Sequence, residues 1–253
     1  MGHILAIANQ KGGVGKSTTA VNLGACLAEA GKQVLVIDLD PQGNATSGLG
    51  LDKSALVHTV YEVLVLDAPV DEAILPTEQP NLFVLPSAIR LAGAEVELVS
   101  AVSRENRLKN ALAPILTRFD YILIDCPPSL GLLTINALTV ARAVMIPMQC
   151  EFYALEGLSQ LTNTIQLVRK HLNAELDIFG VVLTMVDARL TSTQQIAQSI
   201  QQYFSKKLFD TVIPRTVRLS EAPSHGQPIT IYDKRSKGAL AYRELAQEVL
   251  ARV

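Results

Sequence analysis

Tryptophan is absent, aromatic residues make up only 5% of the 253 positions, and there are three cysteines. Cys26, Cys126 and Cys150 are odd in number and far apart, which excludes a disulfide framework and a Cys-x-x-Cys metal site and leaves buried, reduced thiols as the expectation. Internal repeats and low-complexity tracts are missing too, and no apolar run approaches the ~18 residues of a membrane span. No basic segment with a cleavage site precedes the first apolar run, and Ala6 stands where a myristoylation signal needs Ser or Thr. A cytoplasmic protein without membrane contact is expected. What is present is a 49% hydrophobic fraction, ample to fill the core of one large α/β domain or two small ones.

Net charge is −2, which taken whole argues against a nucleic-acid partner. Its distribution does not. Residues 1–182 hold 12 Lys/Arg against 18 Asp/Glu, whereas residues 183–253 hold 10 against 6, so a basic face can exist on an acidic molecule.

The most informative stretch is Gln10-Lys11-Gly12-Gly13-Val14-Gly15-Lys16-Ser17-Thr18, after the apolar run Ile4–Ala8 and before a helical pattern reaching about Ala30. Strand, glycine loop and helix N-terminus together present backbone N–H groups to a phosphate chain. The glycines let the backbone approach closely, Lys16 can reach the β/γ oxygens, and the Ser17 hydroxyl can ligate Mg²⁺. A nucleoside triphosphate is the first ligand to expect. The strict pattern wants Gly at position 10, and this chain has Gln10 followed by an extra cation, Lys11.

Two further strands end in acids. Gln33–Asp38 leads into Asp38-Leu39-Asp40-Pro41-Gln42-Gly43-Asn44, and Tyr121–Asp125 leads into Cys126-Pro127-Pro128-Ser129-Leu130-Gly131. A buried strand ending in Asp125 has the form that brings a carboxylate to Mg²⁺, often through water. Residues 51–80, with Pro69, Pro76 and Pro80, read as peripheral helical turns. Beyond them come a short strand at 82–86, an amphipathic helix from Leu91 to Arg107 and another from Asn106 to Leu116. Strands near 143–148, 179–184 and 212–214 follow, and a final helix from about Gly238 to Arg252 sets Leu240, Leu245, Val249 and Leu250 toward the core. This alternation predicts a single domain over residues 1–253, with a mostly parallel, twisted sheet of about seven or eight strands and helices on both faces.

The run Lys11-Gly12-Gly13-Val14-Gly15-Lys16-Ser17-Thr18 resembles the deviant Walker A motif of the ParA/MinD group of P-loop ATPases. Gln149–Gly157, Thr184–Arg189 and Arg215–Gly226 are similar to the ParA/Soj partition branch of that group. The resemblance implies a weak, Mg²⁺-dependent ATPase that binds ATP between two identical chains. In that picture Lys11 to Thr18 hold the nucleotide, with Lys11 crossing to the partner's phosphates. Asp40 positions the attacking water, and Met185 and Pro214 lie near the base. Metal contacts fall to Ser17, to Asp125 through water, and to Asp40 as a further candidate through water, while Asp38 shapes the loop. The resemblance also implies non-specific binding of double-stranded DNA by the homodimer, nucleoid association, and a ParB/Spo0J-type centromere-binding partner that stimulates hydrolysis. By resemblance Arg189 and Arg218 are the first DNA-contact candidates, with Arg215, Lys234, Arg235, Lys237 and Arg243 as neighbours. Three rival readings remain: a MinD-like membrane-cycling ATPase, a small-molecule ATP-dependent ligase of related fold, and, because of Cys126, an electron-transfer relative in which a single thiol leaves a shared cluster half-ligated.

Overall fold

The computed structural model describes residues 2–151, 154–187, 200, 204 and 207–253. Eight strands form one sheet: β1 (His3–Ile7), β2 (Val34–Asp38), β3 (Leu75–Pro76), β4 (Leu82–Leu85), β5 (Tyr121–Asp125), β6 (Ala143–Gln149), β7 (Asp177–Val186) and β8 (Leu208–Pro214). Their spatial order is β3-β4-β2-β5-β1-β6-β7-β8. Every pairing is parallel except that of β3 with β4. The central strands are apolar along most of their length because both faces are covered, as a parallel sheet requires. Along β1 and β2 successive residues feed opposite cores: Ile4, Ala6, Leu35 and Ile37 face one, Leu5, Ile7, Val34 and Val36 the other.

The helices follow the strands: α1 (Lys16–Glu29), α2 (Asn44–Gly48), α3 (Val60–Val65), α4 (Val70–Ala73), α5 (Leu91–Glu97), α6 (Arg107–Leu112), α7 (Leu132–Val140), α8 (Ala154–His171), α9 (Val217–Glu221), α10 (Ile229–Tyr232) and α11 (Lys237–Ala251). On one face α1 packs against α10 and α11; on the other, α6, α7 and α8 form a layer continued by α3 and α5. From Thr19 to Ala28 every residue of α1 is buried, since the sheet lies on one side and α11 on the other.

Four local expectations are corrected. Residues 51–80 contain a short antiparallel edge strand, β3, where Pro76 is tolerated because an edge position need not donate a ladder hydrogen bond. The long helix expected over 91–107 is interrupted: α5 passes into a 3₁₀ turn at Leu98–Ser100, and Ser103 adopts a left-handed φ of 53° before a second turn at Arg104–Asn106. The helix expected from Asn106 to Leu116 is α6 and a closing 3₁₀ turn, Ala113–Ile115. In α11, Leu245 and Val249 are buried as expected, but Leu240 is exposed and Tyr242 takes the core position.

Candidate functional site

The C-terminal ends of β1, β2 and β5 converge on one edge of the sheet, where an open α/β fold binds ligands. The loop from β1 into α1 turns through Gly13 (φ 72°) and Gly15 (φ 88°), left-handed conformations in which a side chain would be strained. It borders a cavity of about 580 Å³ lined by Gly12, Gly13, Gly15, Lys16, Ser17 and Thr18, with Asp40, Gln42 and Pro128 opposite and Met185 at one end. Val14 is buried behind the loop, where its carbonyl accepts from the Thr184 hydroxyl at 2.8 Å.

Lys16 is buried, its Nζ donating to the Lys11 carbonyl at 3.2 Å. Burial holds its pKa below the usual lysine value, while the charges of Asp125 and Asp40 pull it back up. Asp125 ends β5 beside Asp38 at the end of β2, the two residues facing each other in register. Both are fully buried, yet their surroundings differ. Asp38 Oδ2 accepts from the Thr46 N–H at 2.8 Å and the Thr46 hydroxyl at 2.7 Å, and Asp38 Oδ1 accepts from the Asp40 N–H at 3.1 Å. Neither oxygen of Asp125 has a hydrogen-bond partner. Desolvation raises Asp38 to about 6 despite its hydrogen bonds. Asp125 rises well above the ordinary carboxylate range through burial and then the charge of Asp38, with the Ser17 hydroxyl and Lys16 acting in the opposite sense.

An orphaned buried carboxylate beside a lysine and a hydroxyl is the donor set that a hard cation brought by a phosphate chain would complete. No group of three His, Cys, Asp or Glu able to hold a metal by itself occurs among the described residues. Asp40 is buried at the cavity wall, its Oδ1 accepting from the Gln42 N–H at 2.9 Å. Lys11 does not line this cavity: it leaves the loop to form an ion pair with Glu151.

A second hollow of about 320 Å³ adjoins the first and is lined by Gly15, Thr18, Met185, Pro214, Thr216 and Tyr242. Met185 borders both hollows, with a left-handed φ of 52° and its Sδ accepting from Gln149 Nε2 at 2.8 Å. Sequence patterning does not single out Gln149, although its Nε2 also donates to the Gly13 carbonyl at 2.9 Å and ties β6 to the glycine loop.

The basic candidates separate. Arg218, Arg215, Lys234, Arg235 and Lys237 are exposed, Arg218 within reach of Glu221 (3.1 Å) and Asp233 (3.5 Å). Arg243 is half-buried, bonding both carboxylate oxygens of Glu29 and the Lys234 carbonyl, so its charge is already spent inside the fold. Arg189 lies outside the described residues. Cys26 and Cys126 are buried as expected, whereas Cys150 is half-buried.

Comparison with known proteins gives this edge its context. The chain is 62% identical over 251 residues to the sporulation initiation inhibitor protein Soj of Bacillus subtilis, covering 99% of each. It belongs to the ParA/Soj family of partition ATPases. The family model described as an AAA domain matches residues 2–178, which contain the glycine loop, Asp38, Asp40 and Asp125. The chromosome partitioning protein ParA of Myxococcus xanthus is 53% identical over 252 residues, with 100% of this chain and 89% of that protein covered. Among solved structures, the cobyrinic acid a,c-diamide synthase of Mycobacterium smegmatis with bound ATP analogue and magnesium superposes with a TM-score of 0.89 at 40% identity, over 99% of this chain and 94% of that one. The P-loop fold expected of the ParA/Soj family is thus the one observed.

Proposed function

We propose that the protein is a Mg²⁺-dependent partition ATPase: two chains close on ATP, the pair binds duplex DNA without reading sequence, and hydrolysis stimulated by a ParB/Spo0J-type partner releases it. The carrying observation is Asp125, an under-compensated, fully buried carboxylate with Lys16 and Ser17 of the glycine loop beside it. A bound Mg²⁺ neutralises developing phosphate charge. The chain's own residues do the rest: loop amides and Lys16 bind the phosphates, Ser17 and Asp125 hold the cation, and Asp40 orients the attacking water. Met185 and Pro214 border the hollow that receives the base.

Two features support action as a pair. Lys16 already occupies the loop from within, and Lys11 points away from its own cavity toward Glu151, where it is free to exchange that ion pair for a neighbouring chain's phosphates. A cation donated across an interface in phosphoryl transfer is worth about 10³–10⁵ in rate. On the DNA side, Arg218, Arg215 and the Lys234–Lys237 cluster present exposed cations on one part of the fold. The apolar face of α11 is packed against α1 and β8, which favours this reading over a membrane-cycling one based on that helix. Full-length identity to Soj favours it over a small-molecule ligase, despite the likeness to the diamide synthase fold.

Light scattering with a non-hydrolysable ATP analogue should show dimers, and Lys11→Ala should abolish DNA-stimulated phosphate release; a monomer at saturating nucleotide, or unchanged turnover in the variant, would overturn the paired mechanism. Arg189→Ala/Arg218→Ala should remove the gel shift of random duplex DNA while leaving nucleotide binding intact.

A further inference from the structure

The segment from Asp38 to Thr46 carries Asp40, Gln42 and Asn44 into the nucleotide cavity, and it is closed at its base by one side chain. Thr46 Oγ1 donates to Asp38 Oδ2 at 2.7 Å and accepts from the Ser87 N–H at 2.9 Å, while the Thr46 N–H reaches the same carboxylate oxygen at 2.8 Å. A backbone N–H can only donate, so the Ser87 bond leaves the hydroxyl proton a single destination, Asp38. Thr46, Asp38 and Ser87 are all fully buried, and no water competes for these bonds. From Asp38 the chain of contacts continues, since its other oxygen takes the Asp40 N–H at 3.1 Å and Asp40 in turn orders the Gln42 N–H.

We propose that Thr46 is a positioning residue for hydrolysis: its hydroxyl fixes the Asp38 carboxylate, which fixes the backbone from which Asp40 reaches the reacting phosphate. The inference rests on the hydrolytic role of Asp40 proposed above. Thr46 does not line the nucleotide cavity, so its influence passes through Asp38 and falls on the reaction rather than on nucleotide affinity.

The test compares DNA-stimulated turnover with nucleotide affinity, the latter measured by titration of a fluorescent ATP analogue. Thr46→Val keeps the shape and removes the hydroxyl. The expected result is a kcat lowered by roughly 10–100-fold, the usual cost of losing a group that orients a reacting residue. Nucleotide Kd should stay within about twofold, and Thr46→Ser, which restores the hydroxyl, should recover most of the rate. On an Asp40→Ala background the same Val substitution should change the residual rate by less than about twofold, because two residues acting through one path are not additive. Should Thr46→Val fail to fold, Thr46→Cys retains a weak donor of similar size and should give an intermediate kcat, again at unchanged Kd. The proposal is overturned if the Val variant turns over like wild type, or if kcat and affinity fall together and Ser restores neither. A wild-type chain that releases no phosphate, or an Asp40→Ala variant with full activity, instead removes the hydrolytic reading beneath it.

Discussion

The two edges of the sheet handle charge in opposite ways. At the ligand edge, Asp125 is buried with only the Ser17 hydroxyl and Lys16 to offset its charge, and Lys16 itself has only a carbonyl. At the other edge several charges are tied into the fold. Asp120 accepts the Gln33 N–H, Lys207 pairs with Asp177, and Glu248 takes the N–H groups of Asp210 and Thr211 together with Arg252. Arg252 also donates to the Leu208 carbonyl and lies 3.9 Å above the Phe209 ring. A hollow exists at this edge too, about 380 Å³ lined by Asp177, Lys207 and Arg252, so concavity alone does not separate the two. The difference is unspent electrostatics. At one edge charges such as these hold the fold, whereas the other keeps buried charge in reserve for a ligand at a cost in stability.

The sharpest way to break this contrast is Asp125→Asn. Mg²⁺-dependent ATP turnover should disappear, yet the ligand-free variant should be more stable than wild type. The sign follows from the raised pKa: native Asp125 keeps its proton at pH values where the unfolded chain has lost it, so wild-type stability falls as pH rises from about 4 through the native pKa. Asn carries no such penalty. At pH 8 the variant should be the more stable of the two, and the advantage should shrink as pH drops toward 4. Adding Mg²⁺ with an ATP analogue should reverse the order, since ligand at 100 times its Kd stabilises only the wild type, by about 2.7 kcal/mol. Thermal unfolding at two pH values, with and without ligand, checks all three statements; a destabilised apo variant at pH 8 contradicts the idea of reserved charge.

The mirror experiment is Arg252→Ala. It removes a charge-assisted bond to Glu248, a bond to Leu208 and the stacking on Phe209, and should cost about 1.5–3 kcal/mol in chemical denaturation. ATP affinity and kcat should not move. A large loss of turnover would mean that the far edge is coupled to the reaction, and the division drawn here would fail.

Much of the ligand edge is legible in the sequence because each of its parts is a local pattern: Gly13 and Gly15 mark left-handed turns, and Asp38 and Asp125 each close an apolar strand. The parts that escape are contacts between distant segments. Thr46 gains its importance from Asp38 and from Ser87, 41 positions on, and Gln149 from a glycine carbonyl 136 residues away. Arg243 reads as a surface cation until the fold brings Glu29 beside it. Ser103 breaks the helix expected at 91–107 by a left-handed turn that no glycine or proline announces.

Buried thiols measure the same contrast with the smallest perturbation. Cys126 directly follows Asp125 at the ligand edge, while Cys26 sits in the second half of α1, three residues before Glu29, whose end of the helix lies toward the opposite edge. Both are buried, and burial pushes the Cys26 thiol up to about 12 and the Cys126 thiol up as well, so neither reacts at neutral pH without an opening of the structure. Half-buried Cys150 should label first with iodoacetamide and serves as an internal control. If the ligand edge is the less stable of the two, Cys126 should then label ahead of Cys26, because sub-global openings cost less than global unfolding. Mg²⁺ and an ATP analogue should slow Cys126 toward the Cys26 rate and leave Cys26 itself little changed. Peptide mass spectrometry of a labelling time course resolves the three sites. Equal rates for Cys26 and Cys126 without ligand would show that the uncompensated carboxylate is held as firmly as the far edge, and the stability cost would have to be sought in the whole domain.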